Sequence, residues 1–344
     1  MLCSNKTGGI VLKTVIKILS VVLAVVVLAA TALCLLSEGA LMWLKEPVVK
    51  ERTAVAIPTD ATEPAAEAAA EEAAAEPENL PYTRELTAKS YFVYDVREGE
   101  YLQLKGDVNE KLYPASITKV LSVYVLLQHM DEDTTVTVGD ALTLVQPDSS
   151  VANLQEGDKL TVSDLVAAMM LPSGNDAAQV AAVAAGRTIS GDSSLSPEAA
   201  SKVFVEEMNK QAKALGMTGS HFVNADGFHH DDHYTTMADL VTLSEKVLAD
   251  PVILGYTSMI QKKIQLQDRE ETWRNTNALL HEQHETYISA TIGLKTGYTG
   301  EAGNCLLTAF FKGDRLLVIG VFGCPKESPD RYLDTAELYN TTVI

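Results

Sequence analysis

The pattern of apolar and polar positions predicts β-strands at both ends of a folded region. Residues 90–96 and 101–105 alternate on either side of the turn sequence Arg97-Glu-Gly-Glu, a pattern typical of a β-hairpin. Three more strands are predicted near the C-terminus, over residues 290–295, 306–311 and 316–321. A sheet built from all these strands would join the two ends of the folded region.

Between the strands, apolar positions recur with the spacing of amphipathic helices. One helix begins near Ser116, and the others are predicted over residues 160–170, 199–215, 237–249 and, after the last strand, 330–339. Strands at both ends with helices between them predict an α/β fold. We expect an antiparallel sheet flanked by helices, with the middle helices forming a separate lobe.

An unbroken uncharged run, residues 18–36, precedes the folded region, and its length suits a helix that crosses a bilayer. The residues before it include Lys6, Lys13 and Lys17. The positive-inside rule therefore places residues 1–17 in the cytoplasm and everything after the run outside. A cleaved signal peptide is the alternative, because Ala30-Thr-Ala32 has the small residues of a cleavage site. We favour an uncleaved single-pass anchor in the cell membrane, since the run is longer than a usual signal-peptide core; cleavage would give a secreted protein.

Residues 37–83 are expected to form an acidic linker rich in Ala, Glu and Pro. From about Ala54 to Pro81 the composition is dominated by Ala, Glu and Pro, so this part has almost nothing to bury and cannot form a core. We interpret it as an extended tether that holds the next domain away from the membrane. The folded domain is therefore expected to span residues 84–344.

The composition narrows the choice of partners. The chain has 344 residues, is 47% hydrophobic and carries a net charge of −19. This is enough apolar material for a large domain with a real core. No basic patch or interleaved aromatic run offsets the acidic balance, which argues against nucleic-acid binding.

The four cysteines do not form a disulfide framework. Cys3 and Cys34 lie before or within the apolar run and cannot staple a folded domain. Cys305 and Cys324 flank the last predicted hairpin, where a tight turn would put them diagonally on the same face, a marginal geometry for a bridge. We expect two free, partly buried thiols.

The run Ser116-Ile-Thr-Lys119 opens the first apolar helix and is the only Ser-x-x-Lys in the chain. Residues three apart share a face of a helix, so the hydroxyl and the amine can meet in one site. A serine is a poor nucleophile until a base takes its proton, and a neutral lysine one turn away can be that base. This pair is the first candidate for catalysis.

Two shorter motifs follow along the chain. Ser173-Gly-Asn175 comes directly after a predicted helix, and Lys295-Thr-Gly297 ends an apolar strand. Each tripeptide alone is a weak signal, because Lys6-Thr-Gly8 repeats the second one on the cytoplasmic side. The ordered set of three, each in the expected local structure, is a much stronger signal of serine acyl-transfer chemistry.

The trio resembles that of the low-molecular-mass penicillin-binding proteins, specifically the serine-type D-alanyl-D-alanine carboxypeptidases. The resemblance covers the chain from about residue 85 to its C-terminus. It also includes four other segments, residues 149–157, 224–228, 233–240 and 275–280. It implies a serine β-lactamase/penicillin-binding-protein-like domain without cofactor or metal. The chain ends without the β-rich second domain and C-terminal anchor of many members, so we expect the N-terminal segment to be the anchor.

The resemblance implies hydrolysis of the terminal D-Ala of peptidoglycan stem pentapeptides through an acyl-enzyme, with β-lactam antibiotics as inhibitors. Ser116 would be the nucleophile, Lys119 its base, and Ser173 the relay of a proton to the leaving amine. The residues expected to bind substrate are Asn175, Lys295, Thr296, Gly297 and Tyr298. One oxyanion donor would be the amide of Ser116 and the other that of Tyr298. Burial and the charge of Lys295 are expected to lower the pKa of Lys119.

Several alternatives remain at this stage. A class A-like β-lactamase would need a deacylating Glu-x-x-Leu-Asn motif, which is missing between Asp176 and Lys295. An endopeptidase that cuts D-Ala cross-links could use the same site. A membrane-anchored β-lactam sensor would need more cytoplasmic sequence than residues 1–17 offer. A metal site at the cluster Phe228-His-His-Asp-Asp-His233 is disfavoured, because nothing in the sequence fixes its geometry.

Overall fold

A computed structural model describes residues 79–326 and 329–344. The strands are β1 (Ser90–Asp95), β2 (Glu100–Lys105), β3 (Thr135–Thr137), β4 (Lys159–Thr161), β5 (Gln261–Leu266), β6 (Arg269–Arg274), β7 (Thr291–Thr299), β8 (Gly303–Lys312) and β9 (Arg315–Cys324). The helices are α1 (Thr118–His129), α2 (Val162–Met170), α3 (Asn175–Ser190), α4 (Pro197–Leu215), α5 (Met237–Leu248), α6 (Pro251–Ser258) and α7 (Asp330–Thr341).

The main sheet has the order β2-β1-β9-β8-β7, and every neighbouring pair is antiparallel. The prediction of an antiparallel sheet that joins the two ends of the domain is therefore confirmed. The N-terminal hairpin pairs with β9, the last strand in the chain, and this leaves β7 at an edge of the sheet. An edge strand has unpaired backbone N–H and C=O groups that can bind an extended peptide.

The two faces of the sheet pack against different layers, because successive side chains of a strand point to opposite faces. On one face, Val93, Ile319 and Phe310 pack with Tyr332 and Leu338 of α7. On the other face, β-strand residues such as Phe92 and Val318 join the large core of the helical lobe. The central helix of that lobe is α1, in which every residue from Thr118 to Leu126 is buried.

Some elements differ from the sequence prediction. Helix α3 was not predicted, because its run of alanines lacks the large apolar residues that reveal a helical period. The hairpin of β5 and β6 was missed because both strands are mainly polar and half exposed. Helix α6 also lay outside the prediction.

The packed structure also begins before Arg84, the predicted start of the domain. The Asn79 side chain donates to the carbonyl of Leu102 at 2.9 Å, and the Leu80 amide donates to that of Thr341 at 2.9 Å. The residues that immediately precede Arg84 are thus part of the domain rather than of the linker.

Cys305 and Cys324 are both free and buried. The expectation that they share a face is wrong, since Cys305 packs with the helical lobe and Cys324 packs on the α7 side. The cause is a bulge between β8 and β9, which shifts the register between Asn304 and Leu306. Burial raises the pKa of Cys305 to about 11 and that of Cys324 to about 12, so both thiols stay protonated.

The apolar run at residues 18–36 and most of the linker, residues 37–78, lie outside the described residues. Among residues 79–326 and 329–344, no helix combines the length and the apolar character needed to cross a membrane.

Candidate active site

Ser116 lies in a tight turn at the start of α1, the central helix of the helical lobe. The short 3₁₀ helix Ala115–Ile117 continues directly into α1, so the hydroxyl sits at a helix N-terminus. The preceding residue, Ala115, has φ of 49°, a left-handed conformation that is costly for a residue with a Cβ. The glycine of a neighbouring loop, Gly227, packs so closely that a Cβ there would lie 1.9 Å from the Ala115 carbonyl oxygen. The close packing of the Gly227 loop therefore helps to hold the serine turn in its strained conformation.

Lys119 reaches back one helical turn to the serine. Its Nζ lies 2.8 Å from Ser116 Oγ, 2.7 Å from Asn175 Oδ1 and 2.7 Å from the carbonyl oxygen of Asp226. The side chain is completely buried. The three acceptors fix the amine beside the hydroxyl and leave it no contact with bulk water.

Burial lowers the pKa of Lys119 to about 8, although Asp226 and Asp176 act in the opposite direction. A substantial fraction of this lysine is therefore neutral at slightly alkaline pH, as a general base requires. The charge of Lys295 was also expected to lower the pKa of Lys119, but burial is the cause that lowers it. The pKa of Lys295 lies well below its usual value because of burial, the charge of Lys119 and the charge of Arg331.

The Ser173–Asn175 motif forms the wall opposite Ser116, at the beginning of α3. Ser173 has φ of 64°, another left-handed residue, and it is almost buried. Asn175 presents its carbonyl oxygen to Lys119 and donates from Nδ2 to Ser149 Oγ at 3.1 Å. The next residue, Asp176, accepts from the backbone amides of Ala152 and Leu154. This carboxylate ties the 149–154 loop to the start of the helix.

Lys295 connects the two walls. Its Nζ donates to Ser173 Oγ at 2.9 Å and to the Thr296 carbonyl at 3.1 Å, and the side chain is 1% exposed. A bulge between Thr291 and Gly293 and a strained Leu294, with φ of 120°, come just before the lysine. Bulges beside active sites re-aim the side chains that follow them. The structure therefore contains two pairs in which a buried lysine contacts a serine hydroxyl: Lys295 with Ser173, and Lys119 with Ser116.

Strand β7 forms the exposed side of a cleft of about 470 Å³. Gly297 lies against the serine turn, where a Cβ would be 2.8 Å from the Pro114 carbonyl oxygen and 3.3 Å from the Ser116 amide nitrogen. Tyr298 follows at the strand edge with 40% of its surface exposed. The cleft is lined by all the candidate residues except the two buried lysines, among them Ser116, Ser173, Asn175, Thr296, Gly297 and Tyr298.

Three contributors to the site were not predicted from the sequence. The carbonyl of Asp226 holds Lys119, but a backbone group has no sequence signal of its own. The hydroxyl groups of Thr276 and Thr296 form a hydrogen bond, with 2.6 Å between their oxygens. Arg331, in the first turn of α7, lines the cleft and donates to the Gly297 carbonyl at 3.2 Å. Only the resemblance of residues 224–228 and 275–280 to family sequence pointed near two of them.

The histidine cluster of residues 228–233 does not converge on one point. His229 faces the cleft against the Tyr113 ring, whereas His233 is buried between Thr118 Oγ1, at 2.8 Å, and the Val223 amide, at 3.2 Å. Burial lowers the pKa of His233 to about 3, so it stays neutral. Within residues 79–326 and 329–344, no group of three His, Cys, Asp or Glu side chains is arranged to hold a metal ion.

The arrangement suits nucleophilic acyl transfer. A hydroxyl at a helix N-terminus contacts a buried amine, a second serine contacts a second buried amine, and an edge strand borders the cleft between them. The helix N-terminus favours the negative charge that develops on a carbonyl oxygen under attack.

Comparison with known proteins agrees with this chemistry. The sequence model of the D-alanyl-D-alanine carboxypeptidase family matches residues 71–326. The D-alanyl-D-alanine carboxypeptidase DacF of Bacillus subtilis is 30% identical over 247 residues, which cover 70% of this chain and 59% of the relative. The D-alanyl-D-alanine carboxypeptidase of Streptomyces sp. strain K15 is 32% identical over 235 residues, covering 65% of this chain and 77% of the relative.

Solved structures are similar over the same region. The R248L mutant of the Streptomyces K15 DD-transpeptidase superimposes with a TM-score of 0.67 at 28% identity, covering 75% of this chain and 98% of the other. Penicillin-binding protein D2 from Listeria monocytogenes, in its cefotaxime-bound form, superimposes with a TM-score of 0.60 at 27% identity and the same coverage.

Proposed function

This chain belongs to the D-alanyl-D-alanine carboxypeptidase family, and from that premise we propose that it hydrolyses the terminal D-Ala of peptidoglycan stem pentapeptides through an acyl-enzyme on Ser116. The observation that carries the proposal is the contact of Ser116 Oγ with the buried Lys119 Nζ at 2.8 Å. Burial keeps a fraction of that amine neutral, and a neutral amine can take the proton of the hydroxyl.

In the first half of the reaction, Lys119 Nζ accepts the Ser116 proton while Oγ bonds to the carbonyl carbon of the penultimate D-Ala. The amides of Ser116 and Tyr298 are the proposed donors to the oxyanion that forms. The C–N bond then breaks. The proton that Lys119 took from Ser116 passes through the Ser173 hydroxyl to the leaving D-Ala amine, so Lys119 is neutral again for the second half; the contact of Ser173 with Lys295 at 2.9 Å holds this hydroxyl in place.

In the second half, water replaces the departed D-Ala. Lys119 accepts a proton from the water as its oxygen attacks the ester carbon, and the same proton returns to Ser116 Oγ when the ester bond breaks. Asn175 orients Lys119 through both steps, because its side-chain oxygen holds the amine at 2.7 Å. The shortened peptide leaves with a new carboxylate, and the enzyme is restored.

The substrate is proposed to lie along the exposed edge of β7 as an added strand. Its terminal carboxylate would lie at the end where Lys295, Thr296 and Arg331 meet. Arg331 supplies a permanent charge there, while Lys295 has a strongly lowered pKa in the free protein. An arriving carboxylate favours the charged form of Lys295, so both cations can face the bound substrate.

The test is D-Ala release from a defined pentapeptide by the full-length protein, combined with mapping of the acylated residue after penicillin treatment. We expect release of one D-Ala per peptide and a penicilloyl adduct on Ser116, located by tandem mass spectrometry. Absence of D-Ala release, or an adduct at another residue, would falsify the proposed function.

We expect penicillin to remain bound for minutes or longer. The carboxylates that line the cleft, Asp148 and Glu301, belong to surface loops, and no Glu-x-x-Leu-Asn motif follows Asn175 to activate a deacylating water. The β-lactam leaving group also stays attached to the acyl fragment and blocks the path that water takes after D-Ala departs. Intact mass measured over time after removal of free penicillin would show the decay of the adduct, and turnover within seconds would instead indicate a β-lactamase.

The same chemistry can cut a D-Ala cross-link, so endopeptidase activity is the second candidate. It is favoured by the position of β7 at an open edge of the sheet, where a second peptide chain can approach.

For the location of the protein, we propose that residues 18–36 anchor the chain in the cell membrane with the catalytic domain outside. The support is the uncharged run itself and Lys6, Lys13 and Lys17 before it.

A further inference from the structure

The C-terminal helix α7 is fixed to the cleft through its first turn. Arg331 lines the cleft and donates to the carbonyl of Gly297 at 3.2 Å. The next residue, Tyr332, donates from its hydroxyl to the carbonyl of Thr276 at 2.6 Å. Thr276 in turn bonds the hydroxyl of Thr296. Any displacement of this turn therefore displaces the guanidinium at the carboxylate end of the cleft.

A neighbouring face of α7 is held by residues 79–88, which we call the N-terminal strap. The helix presents three carboxylates to it, Asp330, Asp334 and Glu337, whose spacing places them on one face. Arg84 of the strap forms ion pairs with two of these, with Asp330 at 3.1 Å and also with Asp334. Thr83 binds both oxygens of Glu337 through its backbone amide and its hydroxyl.

Asp334 is the buried centre of this contact. Its side chain has no exposed surface, and one oxygen accepts from the Thr87 amide at 2.9 Å and the Ala88 amide at 2.8 Å. The other oxygen accepts from Arg84. A buried carboxylate that loses its cation is strongly penalised, so the loss of Arg84 favours a shift of the helix that exposes Asp334 to water.

We propose that the N-terminal strap sets the position of Arg331, and that Arg84 is a positioning residue for recognition of the substrate carboxylate. Asp330, which binds Arg84, directly precedes Arg331 in the chain, so the pairing fixes the backbone from which the guanidinium extends. The proposal rests on the proposed function for its substrate. In the sequence, the strap begins within the last residues of the predicted linker, so the end of the tether is built into the support of the cleft.

Two substrates separate this role from a general effect on folding. We would compare acyl-D-Ala-D-Ala with its C-terminal amide, which lacks the carboxylate, using the full-length protein and its Arg84→Ala and Arg331→Ala variants. Because small misplacements are costly, we expect Arg84→Ala to lower kcat/KM for the acid roughly tenfold, mainly through KM. For the amide substrate, kcat/KM should change less than about twofold. In the Arg331→Ala background, adding Arg84→Ala should cause no further loss of kcat/KM for the acid. Arg84→Lys, which restores a cation, should recover part of the loss.

A matched control is the pair of Arg315 with Asp95, at 2.8 Å. Its side chains are 29% and 0% exposed, the same values as those of Arg84 and Asp334. Arg315→Ala should leave the preference for the acid unchanged.

Hydrogen exchange gives a readout that needs no turnover. Protection of residues 296–299 and 330–334 should fall in Arg84→Ala and not in Arg315→Ala. Equal protection in both variants, an equal loss on acid and amide, or full additivity with Arg331→Ala would overturn the proposal. Absence of D-Ala release by the unmodified protein would count against the proposed function alone.

Discussion

Replacing Lys119 by Met is expected to lower kcat/KM for D-Ala release about 10³-fold, within the range that a positioned general base contributes. Met matches the length of the lysine stem and stays buried, but it cannot take the Ser116 proton. The acceptors at Asn175 and Asp226 also lose their donor. Penicillin acylation should slow by a similar factor, because it requires the same proton transfer.

Two further variants identify the role of the amine. Lys119→Arg keeps a positive charge but has no neutral form at working pH, so it should be about as inactive as Lys119→Met. Lys202→Met, on the exposed face of α4 with 77% of the side chain accessible, should retain full activity. Activity of Lys119→Met within tenfold of the unmodified protein would remove the lysine from the proposed mechanism.

The pH profile gives the sign of the effect. Lys119 acts when deprotonated, so kcat/KM should rise with pH around the pKa of about 8 and level off above it. Between pH 8 and pH 6 the deprotonated fraction falls about fiftyfold, and the acylation rate should fall with it. Stopped-flow acylation by a fluorescent penicillin across this range measures the curve. The residual rate of Lys119→Met should lack the inflection, and a wild-type rate independent of pH would contradict the assignment.

The parts of the site that could be predicted from the sequence are those that lie close together in it. Ser116 and Lys119 are one helical turn apart, and Lys295 to Tyr298 occupy one strand, so local periodicity already places each set on one surface. The inference that these sets share one site came from the order of the motifs in the chain and from the family resemblance. The antiparallel sheet was predictable for a related reason, since β1 and β2 alternate on either side of a turn sequence, and β8 and β9 are apolar runs of strand length on either side of another.

The remainder depended on contacts that short patterns do not report. Arg331 belongs to α7, the C-terminal helix, where a charged residue in the sequence predicts only a face exposed to solvent. Its hydrogen bond to the Gly297 carbonyl forms only because α7 packs on the sheet. Cys324 changed face because of one bulge, which requires the left-handed conformation of Gly323. The charge of Lys295 was expected to lower the pKa of Lys119, but burial lowers that pKa against the opposing effect of Asp226 and Asp176, whereas burial, Lys119 and Arg331 all lower the pKa of Lys295.

The second large effect is expected from Gly227→Ala, a change outside all three motifs. Gly227 has φ of 80°, and a Cβ there would lie 1.9 Å from the carbonyl oxygen and 2.4 Å from the carbonyl carbon of Ala115. These are backbone atoms of the turn that carries Ser116, so the turn must move to make room. A displacement of about 1 Å in a catalytic group can cost about 10²-fold in rate, and we expect a loss of that size in penicillin acylation.

Gly191→Ala is the control that separates displacement of the serine turn from the energetic cost of placing alanine at a positive φ. Gly191 ends α3 with φ of 69°, and a Cβ there meets no atom within 4 Å. Gly191→Ala should lose about 1 kcal/mol of unfolding free energy because alanine disfavours positive φ, and Gly227→Ala should lose at least as much because it adds a backbone clash. Only Gly227→Ala should also lose acylation, measured on protein that urea titration shows to be folded. If the two variants acylate at the same rate, the loop of Gly227 does not hold the serine turn in place, and the strain at Ala115 has another support.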